Sequence, residues 1–401
     1  MSDRTDESRP PLMVFADDWG RHPSSCQHLV RRLQSDFRIL WVNSIGTRSV
    51  QVNGFTARRV LEKLNNWRRG LQQVADEMWV LDLPMLPGIG SPLVRSVNER
   101  LIAWRLNTVL RRLNMLEPVV LTTLPYVLWM LSGVPRRALI YNVTDDYSQW
   151  PQADRAALMA ADREMAQAAD LVLPCSRALM ASYETAQRCE YFPHGVDYTH
   201  FAQTQQMREI PPQLAVLPGP RIGFFGLIYE KLDFELLTHV ARRFSQASLV
   251  MLGPVDYCPR EFESLPNVHF MGKQPYEGLP RWLAGLDVLL LPYKSTDAMI
   301  QQSNPLKARE CLASGKPTVS IDLPEVRLLL PHVRMGTTVD EYLAQIEAAL
   351  AEPADSPAVA ARQVAVTDDR WERRTEQLRE AIFRVAAEKL PSGAQIAGGH
   401  P

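Results

Sequence analysis

Lys307 and Glu310 lie three residues apart in SNPLKARECLASGKPTVSID, which spans Ser303 to Asp322. Asn304-Pro305 reads as a helix start, with Asn304 the cap and Pro305 the first helical residue. Gly315 reads as its stop, before the strand-like TVSI. A lysine in the first turn opposes the helix dipole, at a cost of roughly 0.3–1 kcal/mol. An anion at that helix end would reverse the sign: free backbone N–H groups there attract phosphate oxygens, and Lys307 adds a full positive charge. Glu310 shares the helix face and is placed to accept from the two hydroxyls of a ribose. A nucleoside diphosphate presents both groups. A plain i,i+3 ion pair would use the same two residues.

Three other stretches carry chemistry-bearing residues. RIGFFG ends in Gly226, where the missing Cβ lets backbone approach a phosphate or sugar closely. It is not a G-x-G-x-x-G fingerprint, so a nicotinamide enzyme gains no support. YNVTDDYSQW sets Asp145 and Asp146 directly after an apolar run, where a base would deprotonate an acceptor hydroxyl. An N-cap or a salt bridge would use either aspartate equally well. FADDWGRHPSSCQ carries Asp17, Asp18, Arg21 and His22, which suit acceptor binding or the base role. No Ser–His–Asp order and no metal-ligand spacing is present, which sets hydrolases and metalloenzymes aside.

These residues need a scaffold. Apolar runs at 12–16, 38–43, 78–83, 119–124, 138–143 and 171–176 read as buried parallel strands with amphipathic stretches between them. Residues 203–220 are polar and proline-bearing and read as an interdomain linker. A second series follows at 221–226, 248–253, 268–272, 287–293 and 317–322. The pattern predicts two Rossmann-like α/β domains, over 1–200 and 201–368, then a long helix over 369–390 and a disordered tail over 391–401. Ligands of open α/β sheets sit at the carboxyl ends of strands, so two such domains facing each other would form a cleft.

Composition bounds the function class. The 401 residues carry a net charge of -1, which gives nucleic acid no global attraction. Five scattered cysteines fit a reducing cytoplasm better than a disulfide scaffold. The acidic start MSDRTDESRP is unlike a signal peptide, and no apolar run is long enough to span a bilayer. Between Arg21 and Arg112 stand 15 Lys and Arg against 6 Asp and Glu. That excess, and the basic helical pattern TARRVLEKLNNWRRGLQQV at 56–74, suit either an anionic membrane surface or solvated helix faces.

The segment NPLKARECLASGKPTVSIDLPE resembles the donor-binding segment of GT-B glycosyltransferases of the bacterial polysaccharide, group 1-like type. Other pieces are similar in the same order: DDWGRHPSSCQHLVRRL, ADLVLPCSRALMASYE, YFPHGVDYTHF with His194 in place of the usual asparagine, RIGFFGLIYEKLDFELL and DVLLLPYK. The resemblance covers most of residues 12–390. It implies a GT-B fold, an N-terminal acceptor domain, a C-terminal donor domain, and a final helix that packs back on the first domain. It also implies that Lys307 meets a sugar nucleotide's diphosphate and Glu310 its ribose, with Gly226, Tyr293 and Ser303 beside them. Many retaining members carry a glutamate where this chain has Gln302, near the transferred sugar. An amide hydrogen-bonds a hydroxyl but carries no charge, which shifts the expectation towards inversion. The expected activity is transfer from a nucleotide diphosphate sugar, UDP-linked by preference, to a polysaccharide precursor or lipid-linked glycan. No metal or other cofactor is expected, and the expected place is the cytoplasm or the inner face of the cell membrane. The competing readings are a nucleotide-sugar epimerase and a degenerate, non-catalytic subunit.

Overall fold

A computed structural model of the chain describes residues 9–20, 24–44, 70–86, 92–146 and 154–389. They form two compact units. The first holds the chain up to Cys175, then Leu179–Phe192 and the part from Thr375 on; the second holds Ser176–Ala178 and Pro193–Arg374.

Unit 1 carries β1 (Pro11–Phe15), β2 (Arg38–Val42), β3 (Leu71–Ala75), β4 (Met78–Leu81), β5 (Val119–Thr122), β6 (Ala138–Val143) and β7 (Leu171–Pro174). They form one sheet in the order β3-β4-β2-β1-β5-β6-β7. All neighbours are parallel except β3 and β4. The unbroken apolar runs have this cause: strands such as β5, β6 and β7 are buried at every position. The helices include α1 (Ser25–Arg32), α2 (Pro92–Arg112) and α3 (Arg155–Ala168).

The helical reading of 56–74 fails for residues 71–74, which belong to the edge strand β3. Met78–Leu81 supplies an antiparallel partner across a tight turn, where Glu77 takes φ 51°. Residues 56–69 lie outside the described residues, as do 391–401.

Unit 2 carries β8 (Arg221–Phe225), β9 (Ser248–Leu252), β10 (Val268–Gly272), β11 (Val288–Leu291), β12 (Thr318–Ile321) and β13 (Arg334–Gly336). The sheet is parallel throughout, in the order β10-β9-β8-β11-β12-β13. Its helices include α4 (Phe234–Arg243), α5 (Ala298–Gln302), α6 (Leu306–Ala313) and α7 (Val339–Leu350). Residues 203–220 are not a linker. Leu214 is fully buried in the core of unit 2, Gln205 Nε2 donates to Ser314 O at 2.7 Å, and Ser248 Oγ donates to Pro218 O at 2.7 Å. The chain enters unit 2 earlier, at Pro193, so the expected boundary at 200/201 moves to 192/193. A few well-placed apolar side chains outweigh the polar composition of the stretch.

The last helix, α8 (Trp371–Glu388), starts in unit 2 and belongs to unit 1 from Thr375 on. There Phe383 stacks on Phe37 with centroids 5.2 Å apart, and Arg384 pairs with Glu190 at 2.6 Å.

Candidate functional site

In unit 2 the helix α6 starts one residue later than its sequence suggests. Pro305 takes the cap position, and no side chain caps the helix. Asn304 is buried, with its amide engaged elsewhere: Nδ2 donates to Glu325 Oε2 at 3.1 Å, and Oδ1 accepts from Arg309 Nη1. The intrinsic capping preference of asparagine thus yields to a tertiary network. Gly315 follows α6 at φ +75°, the left-handed stop that the sequence implies.

Lys307 and Glu310 meet on one face of α6, with Nζ 2.9 Å from Oε2. Glu310 is only 5% exposed, and the Lys307 ammonium also lies 5.0 Å from the centre of the Phe225 ring. Gly226 follows Phe225 at φ +140°, and a Cβ there would stand 2.9 Å from Lys307 Cε. The strand-end glycine therefore makes room for the lysine stem itself. Gly253, after β9, has the same logic: at φ +152°, a Cβ would stand 1.8 Å from Gly226 O. Neither position accepts a side chain without moving the loop that faces Lys307.

Two charged residues join this region that sequence reasoning passed over. Lys231, in the loop after β8, pairs with both carboxylate oxygens of Asp297 at 3.0 and 2.9 Å. Asp297 also caps α5 by accepting from Ile300 N at 3.1 Å. Nothing in the polar run YEKLD distinguishes that lysine, because its partner is 66 residues away.

The remaining predicted donor residues divide. Ser303 Oγ donates to Ile300 O at 2.8 Å and closes α5. Gln302 Oε1 is buried without a hydrogen-bond partner among the described residues, and an unmet acceptor of that kind costs roughly 1–3 kcal/mol. Tyr293 is a core residue at 8% exposure, edge-on to Phe224 with centroids 6.4 Å apart. Burial, then the neighbouring Tyr229, Cys311 and Glu310, raise its pKa well above the usual phenol value. It packs behind the site in place of the ligand contact expected.

The start of α6 is braced from beneath. Arg309, almost fully buried, donates from Nε to Asp369 Oδ2 at 2.8 Å, and Arg374 holds the other oxygen of Asp369. Glu325, through which Asn304 is held, also accepts from the backbone of Arg177 at 2.7 Å. His194 lies beside this network. Burial, then the charges of Arg309 and Arg374, lower its pKa to about 4. The unfolded chain takes up that proton near the ordinary value of 6.5, whereas the folded chain holds off to about 4. Its contribution to stability is therefore full above 6.5, falls away as pH drops from 6.5 towards 4, and is gone below 4. His194 is partly exposed by surface area, so solvent screening trims the loss to about 1–2 kcal/mol at pH ~5. Thermal melts should show the wild type losing more stability than His194→Asn on acidification from about pH 7.5 to about pH 5. Parallel pH dependences would exclude His194 as the cause.

In unit 1 the loops after β1 and β6 hold the other predicted residues. Asp17 accepts from Ser24 Oγ at 2.8 Å and Gln27 Nε2 at 2.7 Å, and so fastens the start of α1. Burial outweighs those bonds and raises its pKa. Asp18 accepts from Ser44 Oγ at 2.9 Å. Arg21 and His22 lie outside the described residues. Asp145 and Asp146 follow β6 and are half-buried. Asp146 stands near Asp162, which accepts from Tyr141 at 2.6 Å and Tyr183 at 2.9 Å. Burial raises the pKa of Asp162 despite those two bonds, and the charge of Asp146 adds to the rise.

Residues 219–364 match the profile of the family described as Glycosyl transferases group 1. TuaH of Bacillus subtilis (strain 168), assigned to teichuronic acid biosynthesis as a glycosyltransferase, is 30% identical over 173 residues. That match takes in 40% of this chain, and the chain spans 42% of the length of this curated relative. Sucrose-phosphate synthase from Thermosynechococcus elongatus is similar in structure, with a TM-score of 0.69 at 14% identity over 95% of this chain and 100% of that one. HepE of Anabaena, solved in complex with UDP and glucose, gives 0.64 at 14% identity over 94% and 100%. At such identities the structural likeness speaks for the fold. The chain therefore has the GT-B fold, and residues 219–364 of its second unit are similar to the glycosyl transferases group 1.

Proposed function

We propose that the chain is a glycosyltransferase that moves a sugar from a nucleotide diphosphate sugar, UDP-linked, to a hydroxyl of a polysaccharide precursor or lipid-linked glycan at the inner face of the cell membrane. One observation carries the reading: a lysine and a nearly buried glutamate share the first turns of α6, beside a glycine whose missing side chain admits that lysine. The diphosphate would take Lys307 and the open N–H groups of α6 as its donors, and the ribose hydroxyls would turn to Glu310. As the bond to the sugar breaks, negative charge grows on the leaving diphosphate, where Lys307 and the helix end stabilise it. The reading therefore calls for no metal. Gln302, with its unmet buried acceptor, would receive a hydrogen bond from a hydroxyl of the transferred sugar. Its neutrality favours inversion, with Asp145 or Asp146 as the base that deprotonates the acceptor.

The test is a thermal-shift screen of the full chain against UDP, GDP, ADP and their glucose conjugates. A ligand at a hundred times its Kd should stabilise the fold by about 2.7 kcal/mol. UDP compounds should lead. No shift with any nucleotide would remove the transferase reading. An isomerised sugar from donor alone would make the chain an epimerase. With an acceptor in hand, the anomeric configuration of the product reports inversion, and Asp145→Asn against Asp146→Asn identifies the base by the larger fall in kcat, about 10²–10⁴-fold.

A further inference from the structure

Helix α2 of unit 1 is apolar on two opposite faces. Its inner stripe, with Asn98, Ile102, Leu106, Val109 and Leu110, is buried against the sheet. Half a turn away, Leu93, Val97 and Trp104 are 80%, 51% and 60% exposed. At 3.6 residues per turn these three fall on one outer stripe with Arg100 and Arg111, both exposed. The apolar part of the stripe runs for about 16 Å. Across the helix stand five arginines and one acid, Glu99, which is paired with Arg95. Asn98 fastens the first turns by bonding both the N–H and the C=O of Leu86 at 2.8 and 3.0 Å. The stripe is thus fixed in orientation and presented to solvent.

We infer that the outer stripe of α2 docks on an anionic lipid surface. A helix that lies flat in a membrane interface carries aliphatic side chains and a tryptophan at headgroup depth, with arginines reaching for phosphates. Each feature of the stripe matches one of those needs. Charge separates this occupant from the others. In a symmetric pair, a second copy would set Arg100 and Arg111 against their own like charges. A nucleic acid would find cations but a single aromatic, Trp104, beside the aliphatic Leu93 and Val97, and so no row of stacking platforms for successive bases. The inference deepens the proposed place at a membrane, yet it stands on unit 1 alone.

The experiment is co-sedimentation of the full chain with vesicles of phosphatidylcholine alone, and of phosphatidylcholine and phosphatidylglycerol in equal parts. The wild type should bind the anionic vesicles, with part of that binding surviving high salt because apolar burial is not screened. Leu93→Ser/Val97→Ser/Trp104→Ser should lower the partition at least about tenfold. Arg100→Glu/Arg111→Glu should abolish the preference for anionic lipid. Both variants change exposed positions, so their melting temperatures and UDP responses should match the wild type, which separates this result from any failure of the donor reading. No vesicle binding by the wild type, or undiminished binding by the triple variant, overturns the proposal. So does a dimer in sedimentation velocity that the triple variant dissolves, or binding of single-stranded RNA in place of vesicles.

Discussion

Lys307→Met is expected to weaken UDP binding about 10- to 100-fold and to lower kcat/KM about 10²- to 10³-fold, with a lower melting temperature where the Glu310 carboxylate is stranded. Methionine keeps an unbranched stem over Gly226 and Phe225 and removes only the charge. A hydrogen bond to a charged group contributes roughly 1.5–3 kcal/mol, which sets the affinity loss. The rate loss is larger because charge on the leaving diphosphate peaks in the transition state. The substitution also leaves Glu310, nearly buried, without its 2.9 Å partner. Lys307→Met/Glu310→Gln removes that stranded carboxylate and so separates lost stability from lost binding. Calorimetry with UDP and a thermal melt on the wild type and both variants give the two readouts. If both variants bind UDP as the wild type does, α6 is not the donor site.

Arg309→Leu is expected to destabilise the fold by about 3 kcal/mol, seen as a melting temperature lower by roughly 10 °C. Breaking one partner of a buried ion pair costs roughly 3–5 kcal/mol, because the other charge stays buried. Here the lower end applies, since Asp369 keeps Arg374. Arg309→Lys should recover only part of the loss: one ammonium does not reach Asp369 and Asn304 together as the guanidinium does. UDP affinity should fall as well, because Asn304 directly precedes the start of α6. A melting temperature within about 2 °C of the wild type would show that this network braces nothing.

Much of the region around α6 was legible because its causes are local. A first-turn lysine, a glutamate on the same helix face, a strand-end glycine and a helix-stop glycine announce themselves within a dozen residues each. The parallel sheets were legible for a similar reason, since strands buried on both faces need continuous apolar runs. The short strand β13 has no such run, and β3 is a polar edge held by its neighbour. Tyr293 looked available at the end of a strand, but only packing decides that the ring turns into the core.

The sequence by itself determined which residue types stand at the start of α6, and hence the class of anion that start suits. Helix periodicity and backbone chemistry act over single turns, so the spacing of Lys307 and Glu310 on one helix face is readable without the rest of the fold. Tertiary structure alone decided that Asn304 is a network member and not a cap, that Lys231 answers Asp297, and that Arg309 joins Asp369 across 60 residues. Those pairings depend on which loops the sheet of unit 2 brings side by side, and that order is set by burial of its whole core, beyond the reach of any short window of sequence.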